Sequence, residues 1–129
     1  MDNYQALDAI DAKTGLINAV IDTPKGSNGK YKHDQDTGLF HLSKLLPLGA
    51  YFPYNFGFIP QTRGEDGDEL DILVIMDDPL HIGAVVPVRV VGMVLEMGAD
   101  GLDAGVGVLG EINPVGGGHG VGPGKRGVA

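Results

Sequence analysis

The 129-residue chain contains no cysteine, no tryptophan and no long apolar run. The absence of cysteine excludes disulfides, thiolate nucleophiles and cysteine-ligated zinc, and it fits a reducing compartment. No stretch approaches ~18 consecutive apolar residues, and the acidic N-terminus lacks the basic and apolar regions of a signal peptide. We therefore expect a cytoplasmic protein without a membrane partner, whose chemistry uses oxygen and nitrogen groups.

Positive charge is also scarce. Nine Lys and Arg stand against 17 Asp and Glu, which gives a formal net charge of −8 at pH 7. The longest basic run is the pair Lys125-Arg126, whereas affinity for nucleic acid comes from clustered Lys and Arg that neutralise phosphates. Nucleic acid is therefore not an expected partner.

With 43% hydrophobic residues, a chain of this length is expected to form a single globular core.

Helix signals are weak, and strand signals dominate. Only residues 3–10 and 42–46 show the apolar i, i+3, i+4 spacing of a helix. Strands are predicted over residues 16–21, 30–34, 70–76 and 84–95, the last with a bulge at Gly92, and the last two as central strands. This pattern favours a mainly β fold, a small closed or nearly closed barrel that leaves few free edges.

Glycine is unevenly distributed, since twelve of the 22 glycines follow residue 97. Glycine loses the most conformational entropy on ordering and offers no side chain to a core. We therefore predict a barrel domain over residues 1–97 and a glycine-rich, flexible segment over residues 98–129. Residues 105–110 match the pattern GxGxxG, but no helix pattern follows, so this is a chance match rather than a dinucleotide site.

The densest functional signal is acidic. Residues 65–71 contain five carboxylates immediately before an apolar strand. Strand periodicity and a turn at Gly67 could bring Asp66, Asp68 and Asp71 to one cation, and crowded carboxylates favour a hard ion such as Mg²⁺ or Mn²⁺. The alternative is a solvated acidic hairpin turn, since Asp-Gly is a common turn dipeptide.

A second signal is basic. Four of the nine cations fall within twenty residues, at Lys25, Lys30, Lys32 and Lys44. A solvated surface is the alternative explanation for this set. Together with the acidic turn, however, the lysines suit a phosphoryl substrate that carries its own Mg²⁺.

Three motifs resemble soluble family I inorganic pyrophosphatases. Residues 66–72 fit the signature Asp-x-Asp-(Pro or Glu)-apolar-Asp-apolar, while residues 20–31 and residues 52–60 are similar to that family in order and spacing. The resemblance covers residues 16–97. It implies an OB-like, five-stranded barrel with few short helices, homo-oligomerisation, and Mg²⁺-dependent hydrolysis of pyrophosphate to two phosphates.

The resemblance also implies roles for individual residues. Asp66, Asp71 and Asp103 would bind Mg²⁺, or Mn²⁺ in its place. Asp68 would act as the general base toward the attacking water. Lys30 and Lys44 would bind phosphate oxygens.

Several positions depart from the pattern of the family, and they leave two interpretations open. The family's usual Glu, Arg and two Tyr are replaced by Asp22, Lys44, Phe52 and Phe56, respectively, and a common Glu is replaced by Lys32. The family's acidic metal ligand after the long strand falls on Gly98, unless Asp100 takes its place, and a family Lys is replaced by Gly105. The family's C-terminal helix also has no counterpart. The chain is then either a pyrophosphatase, intact or impaired, or a non-catalytic relative that binds metal or phosphate as an oligomerising or interaction module.

Overall fold

A computed structural model describes residues 4–63, 67–97 and 104–112. These residues form a short 3₁₀ helix over Tyr4–Ala6 and seven strands. The strands are β1 (Ile17–Thr23), β2 (Gly29–His33), β3 (Phe40–Leu45), β4 (Asn55–Ile59), β5 (Leu70–Ile75), β6 (Val85–Met97) and β7 (Ala104–Ile112). Over the described ranges, no helix has the length and apolar character needed to cross a membrane.

Five strands close into a barrel in the order β1-β4-β5-β7-β6, and β2 and β3 form a separate two-stranded ribbon. Within the barrel only β5 and β7 run parallel. The interior is filled by branched apolar side chains, among them Ile21, Ile72, Val74 and Val88, all fully buried. Each such side chain stabilises the fold by about 1.5–3 kcal/mol. The prediction of a mainly β, five-stranded barrel is confirmed.

All four predicted strands are present, as β1, β2, β5 and β6, and the predicted bulge corresponds to a register shift between Val90 and Gly92. The helical spacing at residues 42–46 is misleading, because this segment lies largely in β3 and pairs with β2. Five residues cannot sustain a helix against cross-strand hydrogen bonding. Of residues 3–10, only Tyr4–Ala6 forms a helical turn, and it is a 3₁₀ turn.

The glycine-rich segment contributes a barrel strand, which corrects the predicted boundary at residue 97. Strand β7 lies between β5 and β6. A Cβ on Gly110 would lie 3.2 Å from both Ile72 Cδ1 and Val88 Cγ2, so this glycine allows β7 to pack tightly. The glycine at this position is therefore explained by close packing rather than by flexibility. The barrel extends to Ile112, and residues 113–129 lie outside the described part of the chain.

Two buried side chains attach the β2–β3 ribbon to the barrel. The Thr23 hydroxyl on β1 accepts a hydrogen bond from the Tyr31 amide (3.0 Å) and donates one to the Tyr31 carbonyl (3.3 Å). The His33 ring stacks on Phe58 of β4 with 5.0 Å between ring centroids, and it also contacts the rings of Tyr4 and Phe40. These contacts fix the position of the ribbon beside β1 and β4.

Candidate active site

The β2–β3 ribbon presents its basic side chains on one face. Lys30 lies directly opposite Lys44, and Lys32 lies opposite His41. Because side chains alternate along a strand, Tyr31 points to the other face. Directly opposed like charges destabilise a strand pair unless an anion lies between them. This lysine face, comprising Lys30, Lys32 and Lys44, therefore favours an anionic ligand.

Two carboxyl groups on the barrel, those of Asp22 and Asp71, form an acidic pair. Burial, and secondly the negative charge of Asp71, raise the pKa of Asp22 to about 7, although Thr23 and Lys30 act to lower it. The two carboxyl groups come from β1 and β5, the strands on either side of β4. Crowded, partly desolvated carboxylates are stabilised by a cation. This acidic pair therefore favours a positively charged ligand.

Gly57 on β4 makes the approach of β1 and β5 possible. It pairs with Ile21 on one side and Ile72 on the other, the residues next to Asp22 and Asp71. A Cβ at this position would lie 2.2 Å from the Val20 carbonyl oxygen, which is an impossible contact. Only glycine therefore allows β4 to lie this close to β1 at the acidic pair.

Asp68 is held by an ion pair that the sequence did not predict. The Lys32 ammonium lies 3.1 Å from Asp68 Oδ2 and joins the ribbon to the loop before β5. The two side chains are 62% and 49% exposed, respectively. An ion pair this exposed contributes at most about 1 kcal/mol to folding. Its relevance lies in its position at the site rather than in stability.

A polar cavity of about 290 Å³ adjoins Asp68. It is lined by Gln35, Gln61, Thr62, Arg63, Gly67 and Glu69. Gln61 adopts a left-handed backbone conformation with φ 58°, which is uncommon for a residue other than glycine. Strained backbone of this kind clusters at binding and catalytic sites. The cavity provides space for a small polar ligand between the two neighbours of Asp68, Gly67 and Glu69.

The structure brings together most of the predicted site residues that it describes. Lys30 and Asp71 both interact electrostatically with Asp22, and Lys44 faces Lys30 across the ribbon. Asp66 and Asp103 lie outside the described residues. Within 4–63, 67–97 and 104–112, no group of three or more His, Asp or Glu side chains is arranged to hold a metal ion. The carboxylate oxygens of the acidic pair are nevertheless the donors that Mg²⁺ prefers.

Two features of the site are not evident from the sequence. Asp22 stands out in the sequence only as a departure from the family pattern, although burial and the neighbouring Asp71 raise its pKa to about 7. Lys25 does not join the lysine face, because its ammonium donates to the Asp77 carbonyl at 2.9 Å. Residue spacing gives no signal for either feature, since both depend on contacts between segments far apart in the sequence.

Comparisons with known proteins agree with this geometry. The family model described as inorganic pyrophosphatase matches residues 19–106. An inorganic pyrophosphatase of Thermus thermophilus is 44% identical over 86% of this chain and 64% of its own length. One from Synechocystis is 48% identical over 66% of this chain and 50% of its own length. The chain thus spans about half to two thirds of the length of these relatives.

Solved structures give the same result. The crystal structure of the Thermus thermophilus inorganic pyrophosphatase superposes with a TM-score of 0.75 at 40% identity, covering 86% of this chain and 63% of that one. The Neisseria gonorrhoeae inorganic pyrophosphatase gives a TM-score of 0.74 at 36% identity, with the same coverage of both chains. The barrel, the matched motifs and these likenesses together show that the chain belongs to the soluble family I inorganic pyrophosphatases.

Proposed function

We propose that this chain hydrolyses inorganic pyrophosphate to two phosphates with Mg²⁺ as its cofactor, or Mn²⁺ in its place. The observation that carries the proposal is the pairing of a lysine face with an acidic pair in one site. The lysine face favours an anion and the acidic pair favours a cation. The site therefore suits a phosphate anion that binds together with a divalent metal. The family and the names of the relatives support pyrophosphate as that anion.

We assign metal binding to the carboxylates of the site and phosphate binding to its lysines. Asp71, with Asp66 and Asp103 from outside the described residues, is proposed to hold the metal. Bound there, a divalent cation would neutralise phosphate charge and lower the pKa of the attacking water. Lys30 and Lys44 are proposed to bind phosphate oxygens, where their ammonium groups would stabilise the negative charge of the transition state.

Asp68 is proposed as the general base. The water oxygen forms a bond to one phosphorus while the bridging P–O bond breaks. Asp68 accepts the proton of the water, and the bridging oxygen leaves with the second phosphate. The ion pair with Lys32 holds the Asp68 carboxylate at the lysine face, close to where a phosphate bound by Lys30 and Lys44 would lie.

One observation favours a second candidate function, that of a non-catalytic metal- or phosphate-binding relative. The rings of Phe52 and Phe56, at positions where the family usually has tyrosines, pack edge to face with 5.2 Å between their centroids. No hydroxyl is available there to bind phosphate. Binding of metal and phosphate without turnover would be the consequence.

Phosphate release from pyrophosphate separates the two candidates. We expect release that requires Mg²⁺, stops with EDTA and is strongly reduced in Asp71→Asn. Asp8→Asn, an exposed carboxylate in the N-terminal segment, is the matched control and should keep full activity. Calorimetric binding of Mg²⁺ and pyrophosphate without phosphate release would favour the binding module and contradict the enzyme.

The proposal includes a homo-oligomer in the cytoplasm. Three side chains on the outer surface of β6 support self-association, since Val90, Val91 and Met93 are 45%, 42% and 69% exposed. Neighbouring apolar side chains at a barrel surface favour contact with another protein surface. Sedimentation of the purified chain tests this part, and a monomer at micromolar concentration would contradict it.

A further inference from the structure

The position of Lys32 carries an inference about how tightly the site binds its metal. Its ammonium lies 3.1 Å from Asp68 Oδ2. Asp68 belongs to the acidic stretch that also contains Asp71, whose charge already raises the pKa of Asp22. A positive charge is therefore paired with a carboxylate of the acidic stretch, residues 65–71. The family commonly has a Glu at this position, so the sign of the charge is reversed in this chain.

We propose that Lys32 acts as a built-in competitor of the divalent cation. In the metal-free chain its ammonium neutralises Asp68, so the acidic stretch attracts an incoming cation less strongly than its carboxylates alone would. The cation either shares the negative charge of Asp68 with the Lys32 ammonium or displaces that ammonium from Asp68. Lys32 is thus a residue that sets metal affinity. This inference rests on the proposed function, because it needs a divalent cation at the acidic end of the site.

The geometry favours this role over a purely structural one. Both side chains are about half exposed or more, and exposed ion pairs of this kind add little to stability. Opposite Lys32 in the ribbon stands His41, whose Nε2 lies 3.8 Å from Asp34. The charge of Lys30 acts on Asp22, whose pKa it lowers. Lys32 is therefore a member of the lysine face whose charge acts directly on Asp68.

The size of the effect is bounded by the exposed ion pair that the cation would weaken. Such a pair is worth at most about 1 kcal/mol, which corresponds to about five-fold in a binding constant. Lys32→Gln is therefore expected to bind divalent cations about five-fold more tightly. Lys32→Glu, which restores the family's charge, should bind them more tightly still. Lys32→Arg keeps the charge and should stay within two-fold of the wild type.

The experiment measures Mn²⁺ alone binding to the full chain, from the loss of the free Mn²⁺ electron paramagnetic resonance signal. Lys13→Gln is the matched control, since it removes an exposed lysine in the turn before β1 and should leave Mn²⁺ affinity unchanged. In an Asp68→Asn background, Lys32→Gln should change affinity by less than two-fold, because the carboxylate charge that Lys32 neutralises has been removed.

Equal Mn²⁺ affinity in wild type and Lys32→Gln overturns the inference, as does a Lys32 effect that persists in the Asp68→Asn background. Pyrophosphate hydrolysis is assayed separately. Absence of phosphate release together with an intact Lys32 effect would contradict the proposed function and leave this inference standing. Phosphate release together with unchanged Mn²⁺ affinities would overturn this inference alone.

Discussion

Asp22 and Asp71 interact electrostatically across strand β4, and burial together with this repulsion raises the pKa of Asp22 to about 7. The folded chain therefore holds a proton on Asp22 at pH values where an unfolded chain, with a pKa of 3.8, has released it. This relationship links the stability of the barrel to pH and to the chemistry of the site.

The first prediction concerns the stability of the metal-free chain as a function of pH. Below about pH 3.8 Asp22 is protonated in both states, and above about pH 7 it is ionised in both. Between these values only the unfolded state loses the proton, so the contribution of Asp22 to stability falls as pH rises. Asp22→Asn should therefore be more stable than wild type by a few kcal/mol at pH 8 and nearly equal to it at pH 4.

Urea unfolding in EDTA at both pH values measures this difference. Asp8→Asn serves as the control, because its carboxylate is exposed and the substitution should not change the pH dependence. An identical pH dependence in Asp22→Asn and wild type would show that Asp22 is not the group responsible.

The second prediction concerns the metal. A ligand that binds only the folded state stabilises it by about 2.7 kcal/mol at a hundred times its dissociation constant. Mg²⁺ should therefore raise the melting temperature of the wild type but have much less effect on an Asp66→Asn/Asp71→Asn double variant. Calorimetry should show the same loss of Mg²⁺ uptake. Equal uptake by the two proteins would mean that the metal ligands are wrongly assigned.

The third prediction separates catalysis from metal binding. At saturating Mg²⁺, Asp68→Asn should lower kcat by on the order of 10²-fold, because an amide cannot accept the proton of the attacking water. The KM for pyrophosphate should change much less, since Lys30 and Lys44 remain. Steady-state phosphate release gives both constants, and an unchanged kcat would remove Asp68 from the proposed mechanism.

Much of the fold is predictable from local sequence, because β1, β5 and β6 are apolar and rich in β-branched residues. Strands β3 and β7 are not predictable in this way, and the physical reason differs between them. Strand β3 carries exposed Leu42 and Leu45, whose spacing resembles a helix, and its pairing with β2 decides its conformation. Strand β7 is rich in glycine, and the need for glycine at Gly110 appears only when Ile72 and Val88 are seen beside it.

The site, like the fold, is only partly predictable from local sequence. The acidic stretch and the lysine set are visible as clusters in the sequence, and the resemblance assigns roles to Asp68, Asp71, Lys30 and Lys44. The interaction between Asp22 and Asp71 depends on the order β1-β4-β5, and the ion pair between Lys32 and Asp68 joins residues 36 positions apart. Such contacts depend on how segments far apart in the sequence come together, which no local pattern encodes.

The fourth prediction tests the packing of β7. Gly110→Ala places a methyl group 3.2 Å from Ile72 Cδ1 and Val88 Cγ2, and overpacking of this kind costs about 1–3 kcal/mol. Gly92→Ala on β6 is the matched control, because its nearest neighbour would be Leu109 Cδ2 at 3.9 Å, an ordinary contact. Chemical denaturation of both variants gives the comparison. If Gly110→Ala is no less stable than Gly92→Ala, β7 is not packed as described.

The last prediction concerns where the folded unit ends. Deleting residues 113–129 should be nearly neutral for stability, because this segment holds few apolar side chains and seven glycines in seventeen residues. Deleting residues 104–129 instead removes β7 and leaves β5 and β6 with unpaired edges, so the barrel cannot close. The longer deletion should abolish cooperative thermal unfolding, while the shorter one keeps it. Loss of cooperativity in the shorter deletion would show that residues 113–129 are structural, and a cooperative transition in the longer one would return the boundary to residue 97.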